Sequence, residues 1–157
     1  MGLKGIHVDS VVDYVQLTGR IATSGQPRRE QFIDIATEGY VAVINLAMSD
    51  SNHAVHDEAT IVTGLGIRYY HIPVPFDAPN VGQLREFLSV MRSLEGQKVW
   101  VHCVRNWRAS AFMYHYLRHE KGMSLVAACS PMFDEWLPLM SDAWQAFLVL
   151  MPDDIDI

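Results

Sequence analysis

The sequence predicts an α/β domain: a central, mostly parallel sheet of roughly four or five strands flanked by helices. Three observations carry this. The stretches Tyr40–Leu46 (YVAVINL) and Lys98–His102 (KVWVH) are apolar almost without alternation, as in strands covered on both faces. Stretches of helical periodicity alternate with these strands, the pattern of βα units. Gly39, Gly66, Gly96 and Gly122 each close a helical stretch, where glycine suits the left-handed C-terminal position.

In chain order, Ser10 stands as cap to a short helix, Val11 to Leu17. Arg20 to Thr23 reads as an edge strand. Ser24-Gly25-Gln26-Pro27 forms a turn, with Pro27 at the first position of a helix running from about Arg28 to Glu38. Phe32, Ile35 and Ala36 share one face of that helix. After the Tyr40–Leu46 strand comes a polar loop, 47–52, then a helix from about His53 to Leu65. Ile67 to Val74 is a strand bounded by Pro73 and Pro75. A loop, Pro75-Phe76-Asp77-Ala78-Pro79-Asn80, leads to a helix from about Gly82 to Leu94. The strand into Cys103 follows, then a helix to about Glu120. Ser124 caps a further helix that Pro131 interrupts, and a last helix spans about Ser141 to Leu150. The acidic tail, 150–157, is expected to fray. The length, 157 residues, suits one domain with its own core.

Composition narrows the function. Half of the residues are hydrophobic and 19% are charged, as in ordinary folded proteins. The net charge of −6 gives no basic footprint for nucleic acid. No apolar run reaches the ~18 residues that span a bilayer, so no membrane partner is expected. The two cysteines, Cys103 and Cys129, make no disulfide framework. The start, MGLKGIHVDS, has no apolar core of a signal peptide. A free reactive cysteine suits a reducing compartment, so a cytoplasmic location is expected. Nothing in the sequence sets an oligomeric state.

The stretch Lys98–Ala111, KVWVHCVRNWRASA, concentrates the chemistry. A strand delivers Cys103 into a tight loop holding Arg105 and Arg108, and a helix begins at about Ala109. Helix N-termini and nests of loop N–H groups attract anions, and arginine suits bidentate recognition of phosphate. The same positive surroundings favour thiolate over thiol, whose ordinary pKa of about 8.5 leaves it mostly protonated at neutral pH. The pattern is an anion pocket with a nucleophile at its floor.

The segment His102-Cys103-Val104-Arg105-Asn106-Trp107-Arg108-Ala109-Ser110 resembles the signature loop of cysteine-dependent phosphatases of the protein-tyrosine and dual-specificity superfamily, H-C-x-x-G-x-x-R-[S/T]. With Ser24-Gly25-Gln26-Pro27 upstream, it is most similar to a bacterial dual-specificity-like branch related to the phosphatase-like domain of beta-lactamase hydrolase-like proteins. The likeness covers about Leu17 to Lys121. It implies a cysteine-phosphatase-like fold and hydrolysis of phosphoric monoesters through a cysteinyl-phosphate intermediate. It also implies a phosphate-bearing substrate, a phosphoprotein or small phosphomonoester, with no cofactor and no metal. By the same resemblance Cys103 is the nucleophile and Arg108 the anion clamp. Ser110 is a hydroxyl on the cysteine sulfur, His102 a support for the loop, and Asp77 the proton donor from a separate loop. Val104, Arg105, Asn106, Trp107 and Ala109 contribute to the phosphate cradle, and Gln26 lies near it.

The loop departs from the pattern in one respect. Four residues separate Cys103 from Arg108 where the superfamily has five, and Ala109 stands where its arginine would be. Asn106 replaces the usual glycine, a mild change because Asn tolerates left-handed backbone. The early arginine leaves two alternatives: a rhodanese-like sulfurtransferase, and a phosphate-binding pseudophosphatase module. Asp50 and Asp134 are weaker substitutes for Asp77. Trp107 either packs beneath the loop or walls the substrate entrance. The pairs His115/His119 and His53/His56 are expected on solvated faces rather than at a metal.

Overall fold

The computed structural model describes residues 7–157; residues 1–6, at the start of the segment expected to lack a secretory signal, lie outside them. Five strands form one sheet in the order β1-β2-β5-β3-β4. They are β1 (Val15–Gln16), β2 (Ile21–Ser24), β3 (Ala42–Asn45), β4 (Arg68–His71) and β5 (Val99–His102). The β1/β2 pair is antiparallel and the other three pairings are parallel.

β5 is central because all four of its residues are buried, as its continuous apolar run requires. Alternation along the pleat divides its side chains. Val99, Val101 and Cys103 pack with Ile21, Ile44, Phe87 and Phe112 on one face. Trp100 packs with Ala22, Phe32, Val43 and Val62 on the other. The first face is covered by α3 (Val81–Ser93), α4 (Trp107–His115) and α7 (Asp142–Leu148). The second is covered by α1 (Gln31–Thr37) and α2 (Glu58–Gly64). Cys103 and His102, neighbours in sequence, therefore serve opposite faces.

α3 shows how local sequence fixes an element. Asn80 Oδ1 accepts from the Gln83 N–H (2.9 Å) while Gln83 Oε1 accepts from the Asn80 N–H (3.2 Å), a reciprocal cap. Leu84, Phe87, Leu88 and Met91 form its buried stripe. Beyond α4 the chain continues as a π-helical turn, Tyr116–Glu120. Shorter helices follow: α5 (Leu125–Ala128), α6 (Met132–Trp136) and, after α7, α8 (Pro152–Ile155). Among the described residues no helix is long and apolar enough to cross a membrane.

Four expectations need correction. The expected helix Val11–Leu17 is absent: Ser10 Oγ donates back to His7 O, and Val15–Gln16 joins the sheet. Val11, Val12 and Val15 are β-branched, which disfavours helix and favours strand. β2 is consequently interior, because this two-residue strand supplies the edge. Pro27 does not open a helix; α1 begins at Gln31. The acidic tail does not fray, since Ile155 is fully buried and its carbonyl accepts from Arg85 Nε (3.0 Å).

His115 was expected on a solvated face and is instead in the core, its Nε2 donating to Phe147 O (2.8 Å). Burial holds its pKa down to about 4, against the raising effect of the Phe147 bond. His115 is neutral in the folded state and takes up a proton on unfolding below the ordinary histidine pKa of about 6.5. Stability is therefore fully present above pH ~6.5 and is lost as pH falls toward 4. Urea unfolding at pH 7.5 and at pH 5 should differ by about 2 kcal/mol from this group, and His115→Gln should remove most of that difference. An unchanged pH dependence in the variant would contradict the assignment.

Candidate active site

The site forms where the carboxyl ends of β2, β3 and β5 meet, the usual ligand position of parallel sheets. Pairing between β2 and β5 continues past the strands into the loops. Ser24 lies opposite His102, the Cys103 N–H donates to Ser24 O (3.3 Å), and the Gln26 N–H donates to Val104 O (3.0 Å). Gly25 bridges Arg105. A Cβ on Gly25 would sit 2.4 Å from Val104 O and 2.8 Å from Val12 Cγ1, so only glycine admits this approach.

The turn into α4 depends on Asn106, which is fully buried with φ of 69°. Its Nδ2 donates to Asp13 O (2.8 Å) and Thr23 Oγ1 (3.0 Å), and its Oδ1 accepts from Ser110 Oγ (3.2 Å). These bonds offset the cost of left-handed backbone in a residue with a Cβ. They place Asn106 beneath the loop as its anchor. The Ser110 hydroxyl, expected on the cysteine sulfur, is directed to Asn106.

Cys103, Val104, Arg105, Trp107 and Arg108 line one cavity of about 280 Å³, with Ser51, Asn52 and Phe76 opposite. Cys103 is buried at 1% exposure. Arg108 is buried at 6% exposure; its Nη1 donates to Val74 O (2.7 Å) and its guanidinium lies 5.6 Å from the Phe76 ring. Arg105 is exposed at the rim, beside Glu135 (3.4 Å) and 4.7 Å from the Trp107 ring. Trp107 forms a wall: its ring stacks on Trp136 at 5.5 Å and meets Phe76 at 6.1 Å.

The remaining sequence candidates stand elsewhere. Asp77 is exposed, one residue past Phe76, in a loop held by Arg108 on Val74 O and by Trp144 Nε1 on Phe76 O. Asp134 is exposed on α6 and Asp50 is exposed in the loop after β3. Ala109 is fully buried in the first turn of α4. Gln26 is buried and lines an adjoining groove with Asp13, His53 and Arg105. In that groove burial lifts the Asp13 carboxyl above its usual range, against the opposing Arg105 charge.

One contributor had no signal in the sequence. Glu58, on α2, is buried, and its Oε2 lies 2.6 Å from His102 Nε2 while its Oε1 accepts from Gln26 Nε2 (2.8 Å). Burial would raise this carboxyl. His102 and the bonds from His102, Gln26 and Tyr69 outweigh that and hold it below the usual range. Burial and the Glu58 charge push the Tyr69 hydroxyl pKa far up. A single glutamate in a helical stretch resembles any solvated residue until the fold places it against β5. Ser51, Asn52 and Phe76 were hidden in the same way, being loop residues gathered only by topology.

Comparison with known proteins agrees with this geometry. No family model matches the chain. The crystal structure of a "Putative phosphatase (DUF442)" from Shewanella putrefaciens CN-32 superposes with a TM-score of 0.80 at 30% identity, covering 90% of this chain and 92% of that one. The active form of Tk-PTP shares the fold with a TM-score of 0.71 at 23% identity, over 92% of this chain and 97% of that one. A beta-lactamase hydrolase-like protein of Xylella fastidiosa (strain Temecula1 / ATCC 700964) is 32% identical over 98 residues, 60% of this chain. That match spans 22% of the Xylella protein's length. The fold is that of the protein-tyrosine phosphatase-like proteins. Within it, the chain belongs to the DUF442 family.

Gly25→Ala tests the close approach. The added methyl must displace the Val104 carbonyl, which should cost about 1–3 kcal/mol in unfolding free energy and weaken tungstate binding at the loop. Wild-type stability and wild-type tungstate affinity in this variant would show that the approach is not required.

Proposed function

We propose that this chain hydrolyses phosphoric monoesters through a cysteinyl-phosphate intermediate on Cys103, with protein-tyrosine or dual-specificity-like substrates. The observation that carries the reading is Cys103 at the floor of a cavity at the N-terminus of α4, flanked by Arg105 and Arg108. Loop N–H groups, the helix terminus and two guanidinium groups favour both the bound dianion and the thiolate.

The reaction runs in two steps. The Cys103 thiolate attacks phosphorus, the S–P bond forms, and the ester P–O bond breaks. The leaving oxygen takes its proton from Asp77. Water then attacks the phosphocysteine, giving its proton back to Asp77, and the S–P bond breaks to release phosphate and thiolate. The loop N–H groups and the Arg108 N–H groups not committed to Val74 hold the equatorial oxygens, where charge develops. Asp77 reaches the leaving group from the 75–80 loop, whose Phe76 already faces the cavity. The aromatic wall of Phe76 and Trp107 suits an aryl leaving group.

A second reading is favoured by one observation: Arg108 stands one position closer to Cys103 than in the phosphatase pattern, while Ser110 keeps its place. An early arginine resembles that of a sulfurtransferase, in which the thiolate would attack the outer sulfur of thiosulfate, forming the persulfide as the thiosulfate S–S bond breaks and sulfite leaves. Sulfur transfer from thiosulfate to cyanide separates the two readings.

Hydrolysis of p-nitrophenyl phosphate from pH 5 to 8 is the direct assay. Wild type should turn over and Cys103→Ser should be inactive. Asp77→Asn should lose about 10²–10⁴-fold in kcat, the usual worth of a positioned acid. Arg108→Lys should lose on the order of 10²-fold through its bidentate hold. Activity surviving in Cys103→Ser would overturn the mechanism, and full activity in Asp77→Asn would remove that residue from it.

A further inference from the structure

We propose that Glu58 is a positioning residue that keeps His102 as a buried imidazolium and thereby sets the geometry and charge beneath the Cys103 loop. The inference rests on the reading of Cys103 as the reactive thiol. His102 is fully buried, with Nε2 2.6 Å from Glu58 Oε2 and Nδ1 3.2 Å from the carbonyl oxygen of Cys103. A carbonyl oxygen only accepts, and so does an ionised carboxylate. Both ring nitrogens must then carry a proton, which makes the ring a cation.

The carboxylate is held ionised by its own surroundings. Its oxygens receive donors from His102 Nε2 and Gln26 Nε2, and the Tyr69 hydroxyl, which accepts from Asn45 Nδ2 (3.0 Å), lines the same cavity wall. Two donors, one on each oxygen, keep this buried carboxylate charged. An isolated buried imidazolium would lose its proton, so the ring's charge depends on this partner.

The network lies on the α1/α2 face of the sheet, opposite the face that Cys103 joins. Its reach to the loop is through backbone. The cationic ring donates to the Cys103 carbonyl from beneath. Gln26 grips Glu58 with its side chain and Val104 O with its own N–H. Glu58 therefore steadies two consecutive carbonyls of the loop, those of Cys103 and Val104. The charged and titratable groups around it are His102 and Tyr69 on the strands, and His56 and His71 along the neighbouring cavity. On the Cys103 side they are Arg105 and Arg108.

If Glu58 becomes neutral, the ring loses its reason to stay charged. A neutral ring that keeps one N–H bond presents a lone pair to its other partner, and the end of β5 loses a positive charge beneath the Cys103 carbonyl. The thiolate is then less favoured.

The test uses the full chain. Proton–nitrogen NMR of the wild type at pH 7 should find both His102 ring nitrogens protonated. Alkylation of Cys103 by iodoacetamide should slow in Glu58→Gln, with its pH profile moved to higher pH as thiolate becomes less favoured, and recover in part in Glu58→Asp. A role confined to stability would lower the melting temperature and leave the pH profile of alkylation unmoved. That outcome, or a wild-type His102 ring with one bare nitrogen, overturns the proposal. If Glu58→Gln does not fold, the wild-type NMR measurement alone decides. Absence of phosphatase turnover in the wild type would defeat the hydrolase reading while leaving both readouts intact.

Discussion

The close pairing of Ser24–Gln26 with Cys103–Arg105 is the constraint on which the site depends. It exists because β2 and β5 are parallel neighbours in register, so both chains leave the sheet at the same edge. Their ladder then continues outside the sheet through Ser24 O, Val104 O and the Gln26 N–H. A loop after one strand alone would be free to relax. Here one side is fixed by a second strand's continuation, and the far end is fixed by Asn106 holding Asp13, Thr23 and Ser110. The result is a rigid cradle before any ligand arrives, which is what preorganised anion stabilisation needs.

The two faces of the sheet divide the work. The α3/α4 face receives the sulfur, the arginines and the aromatic wall. The α1/α2 face receives His102 and the buried acid that pairs with it. Alternation along a single strand produces this division. In a molecule with a net charge of −6, Arg105, Arg108 and the helix terminus converge on one small cavity, with Glu135 at its rim on Arg105 and Asp13 in the adjoining groove. The early arginine belongs to this picture. Arg108 sits within the first turn of α4 and braces the 75–80 loop through Val74, so it connects the cradle to the segment that carries Asp77.

Legibility in the sequence followed the length scale of the interaction. The strands around Tyr40–Leu46 and Lys98–His102, the cap at Ser124, and the left-handed glycines depend on neighbouring residues, and they read correctly from local pattern. The loop from Cys103 to Ser110 stood out because its residues are contiguous, while the partner of the Ser110 hydroxyl, Asn106, came only with the fold. What stayed hidden depends on distance along the chain. Val15–Gln16 is too short to show a strand period and is defined by its partner. Ile155 looked exposed inside an acidic tail because Arg85 is far away in sequence. His115 has helical spacing with His119, and periodicity says nothing of which face meets the core. Glu58 reads as a surface residue, since its partners His102, Gln26 and Tyr69 come from three separate elements. Asp77 is the reverse case: its loop was legible, while its exposure was decided by Phe76 taking the place over the cavity.

The central claim is that the cysteine of this loop becomes covalently bonded to phosphorus. The most direct measurement is acid quench of the enzyme during turnover of an aryl phosphate, followed by mass spectrometry of its peptides. The account predicts a phosphoryl adduct on the peptide containing Cys103, accumulating when Asp77 is replaced and absent when Cys103 is serine. Turnover with no adduct on Cys103, or an adduct on a different residue, would contradict it.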